Sequence, residues 1–84
     1  MNVPVRMYTA AGCHLCDDAL AVLSAARPQL GFDLEVVDIG GDPELEAAYR
    51  EQIPVVFVAG RKAFKYRVDA GELARRVRAA TNAA

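Results

Sequence analysis

Between Val3 and Thr9 (V-P-V-R-M-Y-T) apolar and polar residues alternate roughly, the two-residue period of a strand with one face buried. Ala10-Ala11-Gly12 reads as a turn. The spacing then changes: Leu15, Ala19, Val22, Leu23 and Ala26 recur at helical intervals and predict an amphipathic helix over residues 13–26. Pro28 and Gly31 are expected to stop it. Strand spacing returns in Phe32–Ile39 (F-D-L-E-V-V-D-I) and breaks at Gly40-Gly41. Asp42-Pro43 reads as an N-cap followed by proline at the first helical position. The helix it opens runs to about Gln52, with Leu45, Ala48 and Tyr49 inward.

Pro54–Val58 (P-V-V-F-V) is a short continuous apolar run, the pattern of a strand buried on both faces. Ala59-Gly60-Arg61 turns the chain into a hairpin partner over Lys62–Val68, where alternate side chains change character. Asp69-Ala-Gly-Glu72 resembles a capping box with Asp in place of Ser or Thr, and opens a last helix buried through Leu73, Val77 and Ala80. The order is therefore β-α-β-α-β-β-α. A helix joins the first two strands, which favours a parallel pair with a right-handed crossover. The hairpin makes the last two antiparallel. The expected fold is an α/β domain spanning residues 1–84, a mixed four-stranded sheet flanked by helices.

At 84 residues the chain buries only a thin core, so a site is expected in a surface groove rather than an enclosed cavity. A net charge of −1 gives no general attraction to nucleic acid. The two halves differ, with −4 over residues 1–42 and +3 over residues 43–84. Arg61, Lys62, Lys65 and Arg67 cluster, as do Arg75, Arg76 and Arg78. A solvated strand face and a helix C-terminus account for such clusters, and attraction of an anionic partner is the sharper reading. Met1–Tyr8 has no apolar run of the secretory type, and no stretch suits a membrane span. The expected compartment is the reducing cytoplasm, where a C-x-x-C pair is seldom a structural staple.

The chemistry-bearing stretch is Gly12-Cys-His-Leu-Cys-Asp-Asp18, which holds both cysteines of the chain. Cys13 falls just after the first strand and at the start of the first helix. There its sulfur faces unpaired backbone N–H groups and the positive end of the helix dipole, which favour a thiolate. Cys16 lies one turn further on, close enough to attack a mixed disulfide formed on Cys13. Asp17 opposes the thiolate where its carboxylate turns towards it, and a protonated His14 supports it. A structural zinc site needs four ligands, whereas Cys13, Cys16 and His14 are the only thiolate or imidazole donors. Haem attachment requires C-x-x-C-H, and residue 17 is Asp. Two buried inert cysteines are the remaining alternative.

Tyr8-Thr-Ala-Ala-Gly-Cys-His-Leu-Cys16 after a strand, Ile53-Pro54-Val-Val-Phe57 some way downstream, and a closing hairpin and helix together resemble a glutaredoxin. More narrowly, the chain resembles small glutaredoxin-like proteins of the thioredoxin-fold superfamily that carry C-x-L-C. The resemblance implies a thiol–disulfide oxidoreductase with Cys13 as nucleophile and Cys16 as resolving thiol. It also implies Pro54 as a cis-proline, with the Ile53 backbone pairing with substrate. Gly12, His14, Ile53 and Pro54 form the expected substrate-contacting set, and no metal is expected. The implied partner is a disulfide-containing protein or glutathione, with glutathione as a reductant, no bound cofactor and a monomeric state. Two positions depart from the glutaredoxin pattern. Ala10 stands where a lysine usually holds a glutathione carboxylate, and Tyr66-Arg67-Val68-Asp69 lacks the glycine pair that grips the other end of glutathione. The rival readings are a redox sensor or binding module that does not turn over, and a dimeric iron–sulfur or metal carrier.

Overall fold

The computed structural model describes residues 2–82 and contains the expected elements in the expected order. These are β1 (Pro4–Thr9), α1 (His14–Leu30), β2 (Asp33–Asp38), α2 (Pro43–Tyr49), β3 (Val55–Val58), β4 (Arg61–Lys65) and α3 (Ala70–Asn82). They build one four-stranded sheet in the order β2-β1-β3-β4. β1 and β2 run parallel with Val5 opposite Leu34 and Met7 opposite Val36, whereas β1–β3 and β3–β4 are antiparallel. The chain has the mixed four-stranded sheet flanked by helices that its periodicity implied.

The core lies on one face of the sheet. Val5 and Met7 from β1 and Val56 and Val58 from β3 pack with Cys16, Ala19 and Leu23 of α1 and with Leu73 and Val77 of α3. Phe32 and Ile39, flanking β2, are also buried. On the opposite face α2 covers only part of the sheet. There the Tyr49 ring stacks on Tyr8 at 4.6 Å, and Phe57 meets both rings edge-on. Further along this face Arg6 pairs with Glu35 across the β1–β2 ladder, and the Tyr8 hydroxyl and then Glu35 raise the guanidinium above its ordinary pKa.

Four local expectations need correction. α1 does not end before Pro28 but runs through it to Leu30. A proline there deprives the Ser24 carbonyl of its helical donor, but both residues are exposed, so the carbonyl is left open to solvent rather than buried. The helix stops instead at Gly31, whose left-handed backbone (φ 72°) lets its N–H close on the Arg27 carbonyl at 2.8 Å. α2 ends at Tyr49, short of Gln52, because the Tyr49 carbonyl accepts from both Gln52 and Ile53 and turns the chain into β3; Ala48 is exposed. β4 ends at Lys65 rather than Val68, since Tyr66 adopts positive φ. Leu15, expected inward, is 37% exposed. It belongs to the first turn of α1, ahead of the Cys16–Ala19–Leu23 stripe that packs on the sheet.

The remaining caps follow their sequence signals. Asp42 Oδ1 accepts from the amides of Glu44 and Leu45, both at 3.1 Å. Asp69 Oδ2 accepts from the Glu72 amide at 2.7 Å, while the Glu72 carboxylate pairs with Arg75 and Arg76. Asp69 thus supplies the capping half of the box, and Glu72 serves the exposed helix face.

Candidate functional site

The site forms at one end of the sheet. β1 delivers the chain at Thr9, and Ala10–Gly12 lift it to the start of α1, with Gly12 at φ 80°. Glycine takes that left-handed conformation without the Cβ penalty any other residue meets. Cys13 follows in extended conformation as the N-cap of α1. An N-cap side chain sits opposite the unpaired amides of the first helical turn, and here the Cys13 sulfur accepts from the Cys16 N–H at 3.1 Å. The Cys13 carbonyl accepts from the Asp17 amide at 3.3 Å and so begins the helical ladder.

Cys13 and Cys16 are joined as a disulfide, with their Cα atoms 5.2 Å apart. The two sulfurs live in different surroundings. Cys16 is 2% exposed and belongs to the hydrophobic core, whereas Cys13 is half-buried and packs against the edge of that core. Asp17, Asp18 and His14 are all exposed on the first turns of α1. Among the described residues no group of three His, Cys, Asp or Glu side chains is placed to hold a metal ion.

The downstream motif arrives at the same end of the sheet. Tyr8 is registered against Val55, so Pro54, the residue before β3, comes opposite Thr9 and hence beside the turn to Cys13. Pro54 is buried, and the Ile53–Pro54 peptide bond is cis. Ile53 is half-buried and packs, like Cys13, on the core that contains Cys16. Its backbone is already half engaged, because the Ile53 N–H donates to the Tyr49 carbonyl at 3.1 Å. The Pro54 carbonyl is taken by the Tyr66 N–H at 2.8 Å. Among the described residues the Ile53 carbonyl accepts no backbone hydrogen bond, so of its two backbone groups only the N–H is engaged.

Periodicity assigned two residues of this surface to other roles, Leu15 to the buried stripe of α1 and Tyr66 to the alternation of β4. Leu15 lies between the cysteines, and Tyr66 follows β4 at φ 71°; they face one groove with Asp18, Arg67 and Val68. A disulfide at a helix N-terminus, one sulfur in the core and one at the surface, next to a buried proline, has the parts that dithiol–disulfide exchange requires.

Comparison with known proteins agrees with this geometry. A family model for the glutaredoxin-like domain (DUF836) matches residues 4–78, from the start of β1 into α3. The chain belongs to that family. An uncharacterized protein of Mycobacterium tuberculosis is 33% identical over 70 residues, covering 77% of this chain and 72% of the relative. The X-ray structure of protein XcR50 from X. campestris superposes with a TM-score of 0.70 at 34% identity, covering 95% of this chain and 97% of that one. The solution structure of protein Ne2328 from Nitrosomonas europaea gives 0.78 at 26% identity, covering 92% and 93%. Thioredoxin 1 of Thermosipho africanus shares only 14% identity yet gives 0.66, a likeness of fold. This glutaredoxin-like chain therefore carries its cysteine pair on a thioredoxin fold, an arrangement that suggests redox function. No helix among the described residues is long and apolar enough to cross a membrane.

Proposed function

We propose that the protein is a thiol–disulfide oxidoreductase that reduces protein disulfides or glutathione mixed disulfides. The observation that carries this reading is the unequal exposure of the bonded sulfurs, with Cys13 at the surface end of α1 and Cys16 in the core. In the reduced protein the Cys13 thiolate attacks one sulfur of the substrate disulfide. A Cys13–substrate disulfide forms, and the other substrate sulfur leaves as a thiolate that takes a proton from solvent. The Cys16 thiolate then attacks the Cys13 sulfur, forms the Cys13–Cys16 bond and expels the second substrate thiolate. Two electrons pass from the pair to the substrate. An external dithiol, or two molecules of glutathione, returns them.

The backbone amides at the start of α1 stabilise the attacking thiolate, since the Cys16 N–H already points at the Cys13 sulfur. Gly12 aims Cys13, His14 lines the exposed approach, and the free carbonyl of Ile53 beside Pro54 accepts from the backbone of an extended substrate. The protein works as a monomer in a reducing compartment, the cytoplasm.

The test is to equilibrate the protein in glutathione redox buffers, quench with acid and count species by intact mass. Expected are a Cys13–Cys16 disulfide in the wild type and a trapped mixed disulfide on Cys13 in Cys16→Ser. Cys13→Ser should lose exchange altogether. A midpoint near −200 to −230 mV with a visible adduct points to glutathione as reductant; one near about −270 mV without adduct points to a thioredoxin-like reductant. Full exchange activity in both variants would refute the assigned roles. A pair that cycles in these buffers but never reduces a disulfide substrate would favour the sensor reading.

A further inference from the structure

Tyr66 is the feature that neither the core nor the cysteine chemistry accounts for. Its φ of 71° lies in the left-handed region, a genuine outlier for a bulky residue. The Arg67 N–H closes on the Lys65 carbonyl at 2.8 Å, so Lys65, Tyr66 and Arg67 form a γ-turn, with Tyr66 at its strained centre. A glycine would adopt this backbone at no steric cost. The hydrophobic core does not hold it there, because Tyr66 is 42% exposed and lies outside the buried cluster. Strained residues persist only where the surrounding structure holds them, and they cluster at functional sites.

The position of the ring gives that function a direction. The Tyr66 amide is bonded to the Pro54 carbonyl, which fixes the turn beside the cysteine pair. Tyr66 shares a groove of about 210 Å³ with Leu15, one of the two residues between the cysteines, and Val68 continues its apolar wall. Among the described residues Leu15 and Tyr66 are two of the three large apolar residues left exposed, and both stand at this one groove. The groove is smaller than the roughly 300–1,000 Å³ of small-molecule pockets and suits one side chain of a docked chain.

Its rim is charged. Arg67 lines it from the γ-turn, and Asp18 stands on the α1 wall. Lys65 lies over the Tyr66 ring, 5.5 Å from its centroid, and Arg61 and Lys62 precede it on β4. Lys62 donates to Gln52, a neutral partner. None of these four cations forms an ion pair among the described residues, and Arg67 lines the groove with a single carboxylate, that of Asp18.

Resting on the exchange reaction proposed above, we propose that Tyr66 and Leu15 are specificity-determining residues for a protein substrate. The preferred segment carries an apolar side chain next to its disulfide-bonded cysteine, packed between Tyr66 and Leu15. It also carries an acidic side chain that pairs with Arg67. This is a preference for an extended protein chain over a small thiol. Packing one side chain in an apolar site discriminates by about tenfold or more.

The test uses short peptides joined through one cysteine to thionitrobenzoate, whose release is followed by absorbance. One peptide flanks the cysteine with Leu and Asp, and a second replaces both by Ser. The wild type should reduce the Leu/Asp peptide with a kcat/KM about tenfold higher. Tyr66→Gly should erase that ratio, mainly through KM, while Tyr66→Phe keeps it and Arg67→Gln removes the part due to Asp. Tyr66→Gly should melt no lower than the wild type, which separates lost recognition from lost folding. A wild-type ratio near one, or a ratio that survives Tyr66→Gly, would overturn the proposal. So would a preference for glutathione disulfide over both peptides that Tyr66→Gly alone removes, since the groove would then serve the small thiol. If the wild type reduced none of these disulfides, the exchange reading itself would fall, an outcome distinct from a missing preference.

Discussion

Replacing Gly12 and Gly31 by alanine, one at a time, separates what the turn before Cys13 does for the site from what it does for the fold. The two glycines have nearly the same backbone, φ 80° and φ 72°, and an added Cβ would meet nothing within 4 Å at either. Steric contact therefore contributes nothing, and the cost is that of a left-handed alanine, roughly 1–2 kcal/mol. The less flexible unfolded chain returns about 0.4–1 kcal/mol of it, leaving a net loss near 1 kcal/mol. At ~2.1 cal/mol/K per residue the unfolding entropy of this chain is about 0.18 kcal/mol/K, so each variant should melt roughly 5–6 °C lower. The variants should differ in exchange. Gly31 caps the far end of α1, whereas Gly12 sets the direction in which Cys13 enters it. With thermal unfolding followed by circular dichroism and exchange by reduction of hydroxyethyl disulfide well below the melting point, Gly12→Ala should be slowed and Gly31→Ala should not. A Gly12→Ala variant as stable as the wild type would show that residue 12 is not held at positive φ. Equal exchange rates in two equally destabilised variants would show that the turn does not aim Cys13.

Two other outcomes follow from burial and capping. In the fully reduced protein, limiting iodoacetamide at neutral pH should label Cys13 well before Cys16, which is 2% exposed; peptide mass mapping reads the order, and equal labelling would contradict the assigned exposures. Asp42→Ala removes the acceptor of two amides at the start of α2 and should cost about 1 kcal/mol in urea unfolding while leaving the disulfide able to form; no loss of stability would mean that the cap is idle.

Much of this architecture was readable from spacing because burial imposes it. Val5 and Met7 alternate onto the core face, Val55–Val58 is an unbroken apolar run because both faces of the sheet are covered there, and Asp42 and Asp69 announce their helices. The cysteine pair was legible from its place between a strand and a helix. The misreadings share a cause: a local rule was overridden by what lies across space. A proline breaks a helix where its lost hydrogen bond leaves a carbonyl buried, and at Pro28 the exposed last turn leaves that carbonyl open to solvent. Leu15 fits the apolar stripe of α1 by spacing, yet it stands in the first turn, where α1 begins beyond the strands it packs on. Tyr66 continues the alternation of β4, and only its bond to Pro54 and the closure of Arg67 on Lys65 reveal that the strand has ended. No propensity places a tyrosine at positive φ.

The unequal burial of the two sulfurs also fixes the route of electrons in the proposed reaction. A chain of 84 residues has little interior to enclose a substrate, so the reacting sulfur must come to the surface, where the end of a helix supplies oriented amides without a cavity. Cys16 sits in the core with Leu23, Met7 and Leu73, and its exposed neighbour in the bond is Cys13. An external thiol that resets the pair can then reach only the Cys13 sulfur, expelling Cys16 as the leaving thiolate. Substrate leaves through the same sulfur by which the reductant enters. In the recognition proposed above both pass Leu15 and Tyr66, so a segment that binds there well as a substrate also excludes the reductant while it is bound. Turnover in the proposed reaction would therefore call for weak, reversible docking at Tyr66, in keeping with a groove that holds one side chain rather than a whole ligand.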